Sequence, residues 1–162
     1  MRPATGPTAT EDCSQAGVEK RLSYRPLNGL RVLVVDDDRI PRKIVANAVA
    51  SAGGEPLEAE DGAVGLAMFN SAPGSVDAVV VDYLMPGLDG VDLVRLVRTL
   101  GFAGPIIGVS GTASEAQILA WVEAGCDEVL EKGFSTTELI TELAAAHRRR
   151  SRRSALRNSS RK

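Results

Sequence analysis

Four short stretches of this 162-residue chain carry residues able to act on a phosphoryl group: VLVVDDDRI with Asp36 and Asp37, VVVDYLMPGLDG with Asp82, PIIGVS with Ser110, and EVLEKGF with Lys132. Each follows or ends an apolar run. If folding brings the run ends together, Asp36, Asp37 and Asp82 share one small mouth, where carboxylates a few ångströms apart repel by ~1 kcal/mol or more each. Such a cluster calls for a cation. Oxygen-only ligands, with water and phosphate oxygens completing the shell, suit Mg²⁺ better than zinc or copper. A carboxylate nucleophile, a divalent cation, a hydroxyl and a lysine are together what in-line phosphoryl transfer to an aspartate requires. Asp82 would supply the attacking oxygen, the metal and Lys132 would offset charge, and Ser110 would donate a hydrogen bond.

The elements that must position these residues are legible in the apolar pattern. Runs at 30–35, 55–59, 76–81, 105–109 and 127–130 have strand length and mostly branched side chains. Between them lie segments with helical spacing: Ile40, Ile44, Val45, Ala48, Val49 and Ala52; Val91, Leu93, Val94, Leu96 and Val97; Ile118, Leu119 and Val122. Thr112 to Glu115 and Ser135 to Glu138 fit capping boxes, and Gly53 and Gly125 stand where helices should stop. Strand and helix alternating five times predict an α/β fold, a doubly wound five-stranded parallel sheet flanked by five helices. Ligands then bind outside the carboxyl ends of the strands, where the strand order reverses.

Taken in order and at their spacing, VLVVDDDRIPRKIV, VVVDYLMPGLDG, PIIGVSGTAS and EVLEKGF resemble the four signatures of response-regulator receivers, over about Leu30 to Ala146. The resemblance implies a flavodoxin-like receiver fold with Asp82 as phosphoacceptor. It implies Asp37, Asp82 and the Leu84 carbonyl as direct Mg²⁺ ligands, Asp36 through water, and Ser110 and Lys132 on phosphoryl oxygens. It further implies a sensor histidine kinase or histidine phosphotransfer protein as donor, with acetyl phosphate able to substitute, and an unidentified downstream protein. Such a domain promotes its own phosphorylation and dephosphorylation without being a turnover enzyme.

Two positions depart from that family. Val129 stands where receivers usually carry an aromatic ring three residues before the lysine, and Gly133 where they carry a proline joined through a cis bond. A cis bond without proline costs ~2.5–4 kcal/mol, so a trans or unusually mobile loop is expected here. Other chemically suggestive residues read as structural. Asp38 suits the start of the first helix, Asp89 a helix N-cap, Trp121 packing, and His147 an exposed position.

Composition bounds the rest. No apolar run reaches the length of a membrane span, and the opening MRPATGPTATEDCSQAGVEK resembles no targeting signal. The expectation is a cytoplasmic protein with a disordered segment 1–27, a receiver over 28–147 and a disordered basic tail 148–162. Cys13 and Cys126 read as free thiols. The formal charge of −2 hides an asymmetry: 148–162 hold eight Arg and Lys and no acid, leaving eleven basic and twenty-one acidic residues elsewhere. A nucleic-acid-binding regulator using that tail as an electrostatic arm is one competing class, although nucleic acid is not the expected partner. A dehalogenase-like phosphohydrolase is another, but its nucleophile follows the first strand, not the third. A receiver fragment of a hybrid kinase is the remaining alternative.

Overall fold

The computed structural model describes residues 25–72, 74–112 and 114–159. In chain order it forms β1 (Arg31–Val35), α1 (Arg39–Ser51), β2 (Glu55–Ala59), α2 (Gly62–Ser71), β3 (Ala78–Asp82), α3 (Gly90–Thr99), β4 (Ile106–Ser110), α4 (Glu115–Ala124), β5 (Glu128–Glu131) and α5 (Thr136–Ser159). The five strands are all parallel and make one sheet in the order β2-β1-β3-β4-β5. The predicted α/β architecture is therefore present. The order reverses between β1 and β3, so the crevice lies between the carboxyl ends of those two strands.

Two apolar layers hold the sheet, and strand alternation sorts residues between them. Val32, Val34, Ala78, Val80, Ile107 and Val109 pack with Val45 and Val49 of α1 and Leu139 and Leu143 of α5. Leu33, Val35, Val79, Val81 and Ile106 pack with Leu93, Val94 and Val97 of α3 and Trp121 of α4. Strands covered on both faces need continuous apolar runs, which is what β1, β3 and β4 carry.

Several helix details differ from the sequence reading. Ile40 and Ile44 of α1, Leu96 of α3, and Ile118, Leu119 and Val122 of α4 are exposed. α4 is turned so that Trp121 and Ala124 face the core instead. One indole buries more apolar surface than a side chain such as Ile118, and it fits where Gly108 clears space on the sheet. The N-cap of α4 is Ser114, whose hydroxyl accepts from the Gln117 N–H while the Gln117 side chain accepts from the Ser114 N–H, so the capping box sits two residues beyond the expected one. Gly125 closes α4 with φ 98°, as its type suggests.

Both predicted domain edges also move. Leu27 is fully buried and its N–H donates to the Ala52 carbonyl at 3.1 Å, so the folded body begins before residue 28. Cys13 and the rest of 1–24 lie outside the described residues. At the other end, residues 148–159 are not disordered but continue α5 to Ser159. The reason is a contact that composition conceals. Arg150 Nε donates to both carboxylate oxygens of Asp127, at 2.7 and 2.9 Å, and its Nη1 reaches the Ala103 carbonyl. Asp127 also takes Arg98 Nη2 and the Ile106 N–H, each at 2.9 Å. Burial, reinforced by the charge of Arg150, lowers the Arg98 pKa to about 10 despite Asp127. His147 is half-buried, not exposed. Two guanidiniums held by one carboxylate predict that Asp127→Ala destabilises the fold by about 2–4 kcal/mol and Arg150→Ala by about 1 kcal/mol. A urea double-mutant cycle should show the two effects to be non-additive.

Candidate functional site

The acidic run after β1 enters α1 directly. Asp38 is the N-cap of α1, its Oδ1 accepting from the Ile40 N–H at 2.9 Å, so it is spent on the helix as expected. Asp36 Oδ1 accepts from the Asp38 N–H at 2.8 Å, which turns the Asp36 carboxyl toward the switch point. Asp36 and Asp82 continue the alternation of Val34 and Val80 and lie on the α1/α5 side of the sheet. Carboxylate oxygens of Asp36, Asp37 and Asp82 all lie within 4.8 Å of one another, Asp36 and Asp82 buried and Asp37 exposed.

Lys132 supplies the opposing charge. Its Nζ lies 2.9 Å from Asp82 Oδ1. Burial works against the ammonium, but the hydrogen bond to Asp82 and the charges of Asp82, Asp36 and Asp37 outweigh it and hold the Lys132 pKa above its ordinary value. Burial is also the main reason that the Asp36 carboxyl is pushed up to about 6; the Asp38 N–H opposes the rise and the Asp82 charge adds to it. The carbonyl of Asp36 is held in place by Arg42 Nη1 at 2.6 Å.

Backbone bonds tie the site loops to neighbouring strands: Asp36 N–H to Ala59 O, Tyr83 N–H to Val109 O, Lys132 N–H to Ser110 O, and Gly90 N–H to Tyr83 O. The turn after Asp82 closes on itself and Asp89 caps α3, accepting from the Asp92 N–H. Gly90 must be glycine, because a Cβ there would strike the Asp82 carbonyl oxygen. The Leu84 side chain is exposed and takes no part in the cluster.

Ser110 is placed less directly. Alternation puts its side chain on the Ile106 side of β4, away from Asp82, and its hydroxyl donates to the Thr112 carbonyl at 2.9 Å. Gly133 has φ 116°, which proline with φ near −65° cannot adopt, and no peptide bond among the described residues is cis. Val129 joins the layer around Trp121.

Trp121 packs in the core as the sequence reading had it; what that reading did not give is its seat on Gly108 and Tyr83. It is fully buried, tilted against Tyr83 at 5.8 Å between ring centroids, and a Cβ at Gly108 would come within 2.9 Å of its ring. Its indole N–H has no acceptor among the described residues. Gly108 inside an apolar strand was the available signal, since glycine there often marks a close approach.

The residues matched by the family model for the response regulator receiver domain are 32–144. The chain belongs to the response-regulator receiver family. It is 37% identical over 123 residues to response regulator MprA of a Mycobacterium species, covering 75% of this chain and 52% of that protein. It is 35% identical over 124 residues to a probable transcriptional regulatory protein of Picosynechococcus, covering 74% and 49%. The chain thus spans about half the length of the curated relatives it matches. Among solved structures, the receiver domain of Francisella response regulator 1452 aligns with TM-score 0.69 at 30% identity, over 75% of this chain and 98% of that one. Vibrio cholerae chemotaxis protein CheY4 aligns with TM-score 0.68 at 28%, over 73% and 98%. The receiver fold and its place in two-component signalling follow. Among the described residues no helix is long and apolar enough to cross a membrane.

The raised Asp36 pKa gives a signed expectation for the metal-free receiver. Its carboxyl ionises later in the folded chain than the ordinary 3.8, so its contribution to stability is full below about pH 4 and lost as pH rises through about 6. Asp36→Asn should therefore raise stability at pH 7.5 by about 2 kcal/mol, and by about half as much at pH 5, in urea melts without divalent cations.

Proposed function

We propose that this receiver accepts a phosphoryl group on Asp82 from a phosphohistidine of a sensor kinase or phosphotransfer protein, and signals by binding a partner or passing the group on. The carrying observation is the buried Asp82 carboxylate, 2.9 Å from Lys132 and inside a cluster of three carboxylates. The donor set fits a hard divalent cation: it is all oxygen, and burial, with the neighbouring Asp82 charge adding to it, raises the Asp36 pKa, a cost that a bound positive charge would offset. Asp37, Asp82 and the Leu84 carbonyl would hold Mg²⁺ directly and Asp36 through water. Bound there, Mg²⁺ supplies the charge that the phosphoryl oxygens need.

Asp82 Oδ attacks phosphorus, a P–O bond forms as the donor's P–N bond breaks, and the electron pair leaves with the imidazole. Lys132 then exchanges its contact with the Asp82 carboxylate for a phosphoryl oxygen. Ser110 reaches that group only by giving up the Thr112 carbonyl, so its hydroxyl reports the modified state. The protein is an acceptor in this reading, not a turnover enzyme.

Acetyl phosphate with Mg²⁺ should label the protein with one base-labile acyl phosphate, and Asp82→Asn should abolish it by intact mass. Asp37→Ala should weaken Mg²⁺ binding at least tenfold, about 1.4 kcal/mol, in calorimetric titration, while Asp38→Ala should leave it nearly unchanged. Equal losses from both would contradict the assigned ligand set.

Val129 has one torsion and no ring to swing into space vacated by Ser110. Phosphorylation should therefore be felt mainly in the loops after Asp82 and Ser110. Amide shifts on adding beryllofluoride should stay in those loops, and changes spread across 113–129 would refute this.

A further inference from the structure

The extension of α5 carries a charge pattern that the phosphoacceptor reading does not use. Arg148, Arg149, Arg152, Arg153 and Arg157 are exposed, and none makes an ion pair among the described residues. Only Arg150 is committed to the body, through Asp127. Arg149, Arg153 and Arg157 follow one another at four-residue intervals and form a row with steps of about 6 Å, with Arg148 and Arg152 in a second row beside it. Like charges at this spacing oppose the helix that bears them, and no acid follows Glu142 to offset them. A polyanion laid along the rows removes that repulsion.

We infer that this basic helix is a docking surface for the backbone of duplex DNA. The twelve residues 148–159 form about 18 Å of helix, which runs beside about ten phosphate charges of a duplex. Guanidiniums form two-pronged hydrogen bonds to phosphate, and every cation exposed on 148–159 is arginine. Other polyanions fit less well. A membrane surface asks for a broad apolar face, whereas 148–159 contain only Ala155 and Leu156. Single strands are held largely by stacking on aromatic rings, and no Phe, Tyr or Trp follows Phe134. The A-form RNA duplex has a major groove too narrow for side chains to enter, whereas that of DNA admits a helix.

Position supports the same occupant. Arg150 is anchored to Asp127 and Ala103, which precede β5 and β4, so the extension leaves the body at the amino ends of the strands. Asp36, Asp37 and Asp82 lie at the carboxyl ends. The basic pole can therefore lie on phosphates while the acidic mouth, which DNA would repel, points away and stays open to a phosphodonor.

The test uses the full chain and a fluorescein-labelled duplex of about 20 base pairs, followed by anisotropy from about 50 to about 200 mM salt. Three to five phosphate contacts predict that Kd rises by about 40- to 500-fold over that range. Replacing Arg148, Arg149, Arg152, Arg153 and Arg157 together by Gln should weaken binding at low salt more than tenfold and flatten the salt slope. The same five replaced by Lys should keep the slope. Arg150 and Asp127 are untouched, and circular dichroism checks the fold; if the Gln set does not fold, R149Q/R153Q should reduce the slope by about 1.8. Absence of binding at about 50 mM salt, unchanged binding after the Gln replacements, equal affinity for single strands, or preference for phosphatidylglycerol vesicles would each overturn the inference. The outcome is independent of whether Asp82 accepts phosphate.

Discussion

Asp82 and Asp36 carry carboxylates that are almost out of water, crowded by Asp37, with one ammonium 2.9 Å from Asp82 to oppose them. Charges so close are costly in a medium less polarisable than water, and the surrounding structure is arranged to hold them together. Backbone bonds from Asp36, Tyr83 and Lys132 run to the neighbouring strand ends and leave the loops little room to relax apart. Gly90 lets α3 start hard against the Asp82 carbonyl. A site that relaxed would let the carboxylates separate into solvent and ionise more easily, so the rigidity of the loops is what keeps the charges crowded.

On the other face of the sheet the receiver is packed in its own way. Trp121 fills the space above Gly108 and contacts Tyr83, the residue next to Asp82. Val129 sits in the same layer without a ring to move. Gly133 takes a left-handed conformation closed to proline, which gives the lysine loop a trans path. The acidic cluster and its lysine thus stand at the carboxyl ends of the strands, while Val129 and Gly133 stand where the family usually carries a ring and a proline. The large side chain that α4 turns to the core is a buried indole whose N–H has no acceptor among the described residues.

Charge is sorted along the strand direction. The acidic cluster occupies one end of the sheet, and the arginine-bearing extension of α5 leaves from the other, locked there by Asp127. Asp127 thereby joins α3, β4, β5 and α5 at one point, through Arg98, the Ile106 N–H and Arg150. Burial lowers the Arg98 pKa, which marks how far this junction is drawn out of solvent.

What the sequence determined by itself was the fold class and the identity of the acidic site. Short runs of branched residues alternating with helical segments point to a parallel sheet covered on both faces, and the four motifs fall at strand ends, where that topology converges. Asp36, Asp37, Asp82 and Lys132 come together as their positions implied. Asp38 and Asp89 cap helices for the same local reason that recommended them. Helix rotation was left to tertiary packing. Ile118, Leu119 and Val122 matched a helical spacing, but burying Trp121 turned them to solvent, because periodicity gives a stripe and packing chooses which stripe is inside. Ser110 belongs to the motif, yet strand alternation turned its side chain from Asp82 and left the hydroxyl on Thr112. The basic tail resembled a disordered segment by composition, since it has almost nothing apolar to bury. It became helix because one of its arginines found a carboxylate 23 positions earlier, and no local property of the tail announces a partner so distant in sequence.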